Sequence, residues 1–177
     1  MRTAIAVISL SLPLLIAGVD AAPASQPARS AAAAAASPTS AEIDRDVWAP
    51  VAVSVANDDN VAMGRPYHPA AVLVTKAGTK PIAAALDGWG KDIVVAKKNG
   101  IRATVEFRFA SRRDDATTAF ETGIFKYSTT DRAGVTTPRY VELEALLVKQ
   151  GGKWLLVMEH QLEATTEAAW NALPPAR

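Results

Sequence analysis

The chain contains no cysteine and only two histidines, His68 and His160. Without cysteine it can form no disulfide, no thiolate nucleophile, no cysteine-ligated zinc site and no lipid-bearing cysteine of the bacterial lipoprotein type. With two histidines, a transition-metal site would need carboxylates from distant segments, and no spacing of residues indicates one. Stability must therefore come from packing, and neither a metal nor a cofactor is predicted.

An excess of charge of one sign is also lacking. The chain has 19 Lys and Arg residues against 18 Asp and Glu residues, a formal net charge of +1, which gives no electrostatic footprint for nucleic acid. Gly88–Lys91 lacks the full glycine spacing and the Ser or Thr of a phosphate loop, and no G-x-S-x-G motif of a serine hydrolase exists. What remains is a chain of 177 residues, 49% hydrophobic, which is enough for one domain with a core.

The N-terminus has the layout of an export signal. Arg2 supplies a positive start, Ala4–Val19 form an apolar run interrupted by Pro13, and small residues allow cleavage after Ala21 or Ala24. An uncleaved membrane anchor is the alternative, but the run is shorter than the roughly 20 apolar residues that spanning requires. Residues 1–21 are therefore predicted to be a signal peptide, and the mature protein is expected in the periplasm or outside the cell, free of the membrane.

Residues 22–38 are rich in Ala, Pro and Ser and predict a disordered tether, because they offer no aromatic or branched apolar side chain for burial. The domain is predicted at residues 39–173, with a tail at 174–177. Thr39 and Glu42 have the spacing of a capping box, so a helix is expected to start at Thr39 and to kink or restart at Pro50. A second, long helix is indicated by one set of apolar residues at helical spacing: Ile82, Leu86, Trp89, Ile93 and Ala96.

From residue 101 the apolar period changes to two, which predicts four long antiparallel strands and then a short helix at 166–173. The order of helices followed by a meandering sheet indicates an α+β fold. By alternation, one face of the sheet is apolar and ends with Met158 and His160. The opposite, solvated face is predicted to carry these charged residues: Arg102, Glu106, Arg108, Glu121, Glu142, Glu144 and Glu159.

Several segments in this order resemble the nuclear-transport-factor-two-like superfamily, in particular its SnoaL-like and exported branches. These are Tyr67–Val72 at the entry to the first strand, Gly78–Ile82 opening the long helix, Ala119–Thr122, and Gly152–Trp154 before a strand that ends at His160. The resemblance spans about residues 40–163 and implies a cone-shaped, curved antiparallel sheet with the N-terminal helices packed on its concave face. It does not imply one activity, because the superfamily includes isomerases, dehydratases, cyclases, binding modules and oligomerisation domains.

The chain departs from the superfamily at positions that would carry chemistry. The position that resembles the general base of ketosteroid-isomerase-like members is Thr75, which cannot be that base, and the preceding motif has Ala70 in place of an aspartate. The arginines that line the pocket of calcium/calmodulin-kinase association domains correspond here to Thr122 and Ala145. An anionic ligand held by arginine is therefore disfavoured.

His160 is the one candidate catalytic residue, because a histidine at the end of an apolar strand could serve as a general base or bond a ligand. A structural histidine bonded to a neighbouring group is the alternative. Glu159 and Gln161 alternate to the opposite face, so a Glu159–His160 dyad is rejected, and His68 is expected to be an ordinary turn residue.

Three hypotheses follow. The first is an apolar pocket for a small hydrophobic molecule, lined by nine residues: Trp48, Tyr67, Trp89, Phe107, Phe120, Thr122, Leu143, Met158 and His160. The second is an acid–base enzyme of the isomerase or dehydratase type with His160 as the base. The third is a structural module that forms a homodimer through the charged outer face of the sheet.

Overall fold

The computed structural model describes residues 37–175. The predicted signal peptide, nearly all of the predicted tether and the last two residues lie outside this range. The helical elements are α1 (Pro38–Ile43), a π-helical turn (Asp44–Trp48), α2 (Ala49–Ala56), α3 (Asn60–Gly64), α4 (Ile82–Lys98) and α5 (Glu167–Ala172). No helix in this part of the chain is long and apolar enough to cross a membrane.

The N-cap of the first helix lies two residues earlier than the capping box predicts, at Ser37 instead of Thr39. Ser37 is the N-cap, since its hydroxyl accepts a 3.0 Å hydrogen bond from the Ser40 N–H, and Pro38 occupies the first helical position. Glu42 does not reach back to the helix start. Its carboxylate instead accepts hydrogen bonds from Lys149 Nζ at 2.6 Å and Trp154 Nε1 at 3.1 Å, so it joins the helix to the sheet.

The irregularity predicted at Pro50 is present as the π-helical turn just before it. The N–H of Ala49 bonds to the carbonyl of Asp44, five residues back. A proline removes one helical hydrogen bond and its ring collides with the carbonyl four residues earlier, and a wider turn relieves the collision. The helical run therefore continues through α2 with its apolar side still facing the sheet.

Six strands form one mixed sheet in the order β2-β1-β6-β5-β4-β3. Their bounds are β1 (Tyr67–Thr75), β2 (Gly78–Pro81), β3 (Arg102–Asp114), β4 (Thr118–Thr130), β5 (Thr136–Gln150) and β6 (Lys153–Thr165). The prediction of an entirely antiparallel sheet is wrong for one pair, because β1 and β6 run parallel. Gly78–Pro81, expected to open the long helix, instead forms the edge strand β2, and α4 starts at Ile82.

The N-terminal helices and α4 cover one face of the sheet, with α2 packed along β3 and α4 along β1. We call this the inner face and the opposite side the outer face. The buried core lies between the helices and the inner face and contains these residues: Ile43, Val47, Trp48, Tyr67, Ala71, Leu73, Ile82, Ala85, Ala119, Leu143, Ala145, Leu147, Trp154 and Leu156. The α+β architecture with N-terminal helices on a curved sheet is confirmed.

The glycines that flank Trp89 in α4 indicate close packing around it. Such packing occurs at Gly90, where an added Cβ would lie 2.8 Å from Nδ2 of Asn60 in α3, but not at Gly88, where it would meet nothing within 4 Å. The Asn60 amide in turn donates a 3.0 Å hydrogen bond to the carbonyl of Leu86, so α3 is held tightly against α4.

Among the register shifts of the sheet, two β-bulges decide the orientation of Glu159 and Arg112. In β6, Leu156 pairs with Leu147 and Met158 with Leu146, so Val157 is an extra residue. In β3, Ala110 is the extra residue, between the Phe109 and Ser111 pairings. Since each strand residue alternates faces, one extra residue exchanges the faces of the side chains that follow, up to the next register shift. Glu159 in β6 and Arg112 in β3 therefore point inward.

The C-terminal helix α5 packs on the outer face. Its Trp170 is buried under the guanidinium of Arg108, 4.5 Å from the ring centroid, and beside Tyr140. Arg108 Nη1 also donates to the carbonyls of Trp170 and Leu173, at 3.1 and 3.3 Å. The helix thus covers one end of the outer face and leaves the other end exposed.

Candidate functional site

The inner face holds a buried carboxylate that alternation assigns to the outside. Glu159 is only 7% exposed, and its neighbours across the sheet, Leu73 and Ala145, are buried. One carboxylate oxygen accepts a hydrogen bond of 2.5 Å from the Tyr67 hydroxyl, and the other accepts one of 2.7 Å from the Gln161 amide. The bulge at Val157 thus brings three polar side chains together inside the cone.

The surroundings of Glu159 change its protonation. Burial raises the pKa of its carboxyl above the ordinary value, and the hydrogen bonds from Tyr67 and Gln161 offset part of that rise because they favour the charged form. The pKa of the Tyr67 hydroxyl is raised well above its usual range, first by burial and then by the adjacent carboxylate. Tyr67 is therefore a hydrogen-bond donor throughout the neutral pH range.

A second carboxylate, Glu121, lies in the same cross-strand row, with Ala145 between it and Glu159. Glu121 is 1% exposed and accepts hydrogen bonds from Trp48 Nε1 at 2.7 Å and Arg112 Nε at 2.6 Å. Arg112 also contacts both carboxylate oxygens of Asp44, at 2.7 and 3.0 Å. This network fixes the N-terminal helices to the sheet, so its role is structural.

Burial raises the pKa of Glu121, whereas Arg112 and Trp48 lower it. The two buried carboxylates differ in the groups that contact them. Glu121 has a cation in contact, and Glu159 has hydrogen-bond donors alone among the described residues.

Five apolar side chains pack against the core yet remain partly exposed to solvent, and we call them the inner rim: Leu86, Trp89, Phe107, Phe109 and Phe125. The first two project from α4 and the three phenylalanines from β3 and β4. Trp48 packs on Phe107 and Phe109, with ring centroids 4.6 and 5.4 Å apart. An apolar surface next to buried polar groups is the usual composition of a small-molecule site.

The outer face is less polar than its predicted row of charges indicates. Phe120 and Leu146 are cross-strand neighbours that are 37% and 39% exposed, and Met158 follows in the same row. A shallow depression of about 290 Å³ lies beside them, with Arg113, Asp114 and Asp115 on its polar side. This part of the outer face is not covered by α5.

The orientation predicted for His160 is wrong. Its Nδ1 lies 3.0 Å from Glu144 Oε2. The side chain of Ala145 points inward and is fully buried, so the preceding residue of the strand, Glu144, points to the outer face. The imidazole that contacts Glu144 therefore lies on the outer face as well. His160 therefore cannot act as a base inside the cone. His68 forms a local contact, in which its Nδ1 accepts from the N–H of Ala70 at 3.1 Å.

The other predicted lining residues divide between the two faces. Tyr67, Phe107 and Leu143 lie on the inner face, and Trp48 and Trp89 belong to the helical elements packed against it. The inward orientation predicted for Phe120, Thr122 and Met158 is wrong, since they alternate with the inward Glu121 and Glu159. Thr75 pairs with Gln161, and its hydroxyl contacts Ala77 N and Gly78 O in the β1–β2 turn.

Sequence reasoning misses Glu159, Glu121 and Arg112 as inward groups. In β6 the run Leu155–Met158 is apolar at every position, so alternation gives no sign of the extra residue. In β4, Phe120 and Ile124 share one face while Ala119 and Phe125 share the other, so both faces read as apolar. Residues 37–175 contain no group of three or more His, Asp or Glu side chains arranged to hold a metal ion.

No protein-family model matches the chain, and no curated protein matches it. Solved structures do resemble it. Aln2 from a Streptomyces species superposes with a TM-score of 0.62 at 14% identity, covering 72% of this chain and 92% of that one. A nuclear transport factor 2-like superfamily protein from Salmonella enterica serovar Typhimurium gives 0.56 at 13% identity, over 72% and 92% of the two chains.

A ketosteroid isomerase-like protein from Erwinia carotovora atroseptica is also similar, with a TM-score of 0.51 at 17% identity over 71% of this chain and 95% of that one. Together with the mixed curved sheet and its covering helices, these likenesses show that the chain has the nuclear-transport-factor-two-like fold. At such identities they show the fold alone.

Proposed function

We propose that this domain binds a small, mostly apolar molecule in the cone, at the inner rim. The observation that carries the proposal is the partial exposure of five large apolar side chains that otherwise belong to the core. Complete burial of such side chains is favourable by about 25 cal/mol per Å² of apolar surface, so a bound apolar molecule would recover what the open fold leaves exposed. The fold is compatible with this role without requiring it.

The proposal is tested by titrating the protein with N-phenyl-1-naphthylamine, a neutral apolar fluorophore, and comparing two Phe→Ala variants. Phe107→Ala removes an inner-rim ring and should weaken binding about tenfold, since each 1.4 kcal/mol of lost contact is tenfold in Kd. Phe120→Ala is the matched control on the outer face and should leave the Kd unchanged. Circular dichroism of both variants checks that they fold.

Equal weakening by both variants would show that the probe does not report on the cone. Native mass spectrometry of the purified protein provides an independent measurement, because a molecule retained from the host would appear as added mass that denaturation releases. Absence of both saturable probe binding and retained mass would contradict the proposal.

A second function, compatible with the first, is self-association through the outer face. The supporting observation is the exposed pair Phe120 and Leu146, next to the depression that α5 leaves open. Export to the periplasm or beyond is retained as a proposal from the N-terminal sequence pattern, and detection of a mature N-terminus at Ala22 or Ser25 in an extracytoplasmic fraction would test it. Catalysis inside the cone receives no support from His160.

A further inference from the structure

Glu159 is held as an ionised carboxylate would be held. Its two oxygens each accept from a different donor, Tyr67 Oη at 2.5 Å and Gln161 Nε2 at 2.7 Å. A carboxylate is an acceptor at both oxygens, whereas a protonated carboxyl group must donate from one of them. Two donors aimed at two oxygens therefore match the charged form.

This charge has no cationic partner in the part of the chain that the structure describes. The salt bridges of residues 37–175 include Arg112 with Glu121 and Lys149 with Glu42, and none of them involves Glu159. A buried charge is costly unless it is paired, and in the interior an opposite charge is worth more than it is in water. The site is thus electrostatically incomplete.

The residues around Glu159 favour a ligand that carries a positive charge on an otherwise apolar molecule. Leu73 and Ala145 flank Glu159 on the sheet, and the partly exposed Gln161 lies one cross-strand row away from it. The inner rim contributes aromatic rings, whose faces attract cations as well as apolar groups.

We propose that Glu159, positioned by Tyr67 and Gln161, is the anchor for a protonated amine, so that the ligand of the cone is a small apolar amine. This inference rests on the proposed function and specifies its ligand class. The ammonium group would neutralise the charge of the Glu159 carboxylate, and the apolar remainder of the ligand would cover the inner rim. Carboxylates should be rejected, because they would place a like charge beside Glu159.

The test uses three ligands of nearly equal size that differ in one group: 2-(1-naphthyl)ethylamine, 2-(1-naphthyl)ethanol and 1-naphthylacetic acid. Their binding to the wild-type protein, Glu159→Gln and Glu144→Gln is measured by isothermal titration calorimetry at pH 7. The variant Glu144→Gln makes the same substitution on the same sheet, but on the outer face.

The wild-type protein should bind the amine most tightly and the acid least. Glu159→Gln should weaken the amine about thirtyfold, as expected when one partner of a buried charge pair is removed, and should leave the alcohol nearly unchanged. Glu144→Gln should change neither. Should Glu159→Gln fail to fold, the ratio of amine to alcohol affinity in the wild-type protein decides alone.

The two proposals fail in different ways. Equal affinity of the wild-type protein for amine and alcohol, or equal weakening of both by Glu159→Gln, would overturn the amine anchor while leaving a site for apolar molecules. Binding of none of the three ligands would overturn the small-molecule site and the anchor together.

Discussion

The hydroxyl of Tyr67 donates a 2.5 Å hydrogen bond to the carboxylate of Glu159 across 92 residues of sequence. Tyr67 stands at the start of β1 and Glu159 lies in β6, the strand that runs parallel to it. The two strands form the only parallel pair of the described sheet, and this hydrogen bond connects their side chains inside the cone.

Tyr67→Phe should destabilise the domain by about 1–3 kcal/mol, because it leaves one oxygen of a buried carboxylate without its donor. The loss is measured from urea unfolding at pH 7. The variant Tyr140→Phe, which changes a partly exposed tyrosine on the outer face, provides the control. Equal stability of Tyr67→Phe and the wild-type protein would mean that water replaces the hydroxyl.

Glu159→Gln should gain stability relative to the wild-type protein as the pH rises above about 4.5. Burial raises the pKa of Glu159 above its ordinary value of 4.5, so between the unfolded and folded pKa values the folded state binds more protons than the unfolded state. Its contribution to stability is greatest below the unfolded pKa and falls as the pH rises through the folded one.

Thermal unfolding from pH 4 to pH 8 measures this trend as the difference between variant and wild type. Leu146→Ala, which adds no titrating group and removes none, should differ from the wild-type protein by a constant amount over this range. If the stability difference between Glu159→Gln and the wild-type protein is also constant with pH, the Glu159 carboxyl has the same pKa in the folded and unfolded protein.

Arg112→Met should be among the most damaging substitutions, with a loss of about 3–5 kcal/mol, because it leaves the buried Glu121 without its cation. The double variant Arg112→Met with Glu121→Gln should recover much of the loss, since the uncompensated charge is then gone. Lys76→Met breaks a fully solvated pair with Glu163 and should cost far less. Additive losses in the double variant would contradict this account.

Asp115→Ala should weaken the β3–β4 turn at neutral pH and do so less at low pH. Hydrogen bonds from the N–H groups of Thr117 and Thr118 lower the pKa of Asp115 to about 2. Stability from this carboxylate is therefore present above its unfolded value of 3.8 and is lost as the pH falls toward 2. Melting temperatures at pH 7 and pH 2 measure the change, and Asp115→Asn, which keeps an acceptor oxygen, should show a smaller loss.

Leu146→Asp should reduce self-association if the outer face joins two copies. Leu146 is 39% exposed beside Phe120, so the substitution places a charge in the centre of the exposed patch at little cost to the fold. Sedimentation velocity over a range of concentrations gives the oligomeric state. Val94→Asp, on the exposed side of α4, is the control, and a wild-type protein that stays monomeric at every concentration would contradict the homodimer.

The architecture could be predicted from sequence because it depends on repeated signals. The apolar positions of α4 recur at helical spacing, and those of β3 and β5 alternate, so the loss of one signal does not change the assignment. Order and spacing of Tyr67–Val72 and Gly152–Trp154 then indicate the fold. The parallel pairing of β1 with β6 has no local signal, because it depends on where the chain returns after five intervening elements.

The inward orientation of Glu159 could not be predicted in the same way, because it depends on a single extra residue in the strand. Alternation is correct for β6 up to Leu156 and wrong from Met158 to Gln161, since Val157 is accommodated as a bulge. In β3 the extra residue at Ala110 likewise sets the inward orientation of Arg112, and nothing in the sequence pattern indicates it. Tyr67, Trp48 and Leu143 belong to the buried core, and their inward orientation agrees with the prediction from sequence.

The extra residue at Val157 also determines how this chain must be compared with its relatives. A homologous strand that lacks the bulge would reach the same inward positions with one residue fewer. An ungapped alignment would then set its inward side chains against Met158 and His160, which belong to the other side of the sheet. Opening a one-residue gap at Val157 would align them with Glu159 and Gln161. The alignment would then compare residues that occupy the same place in the fold.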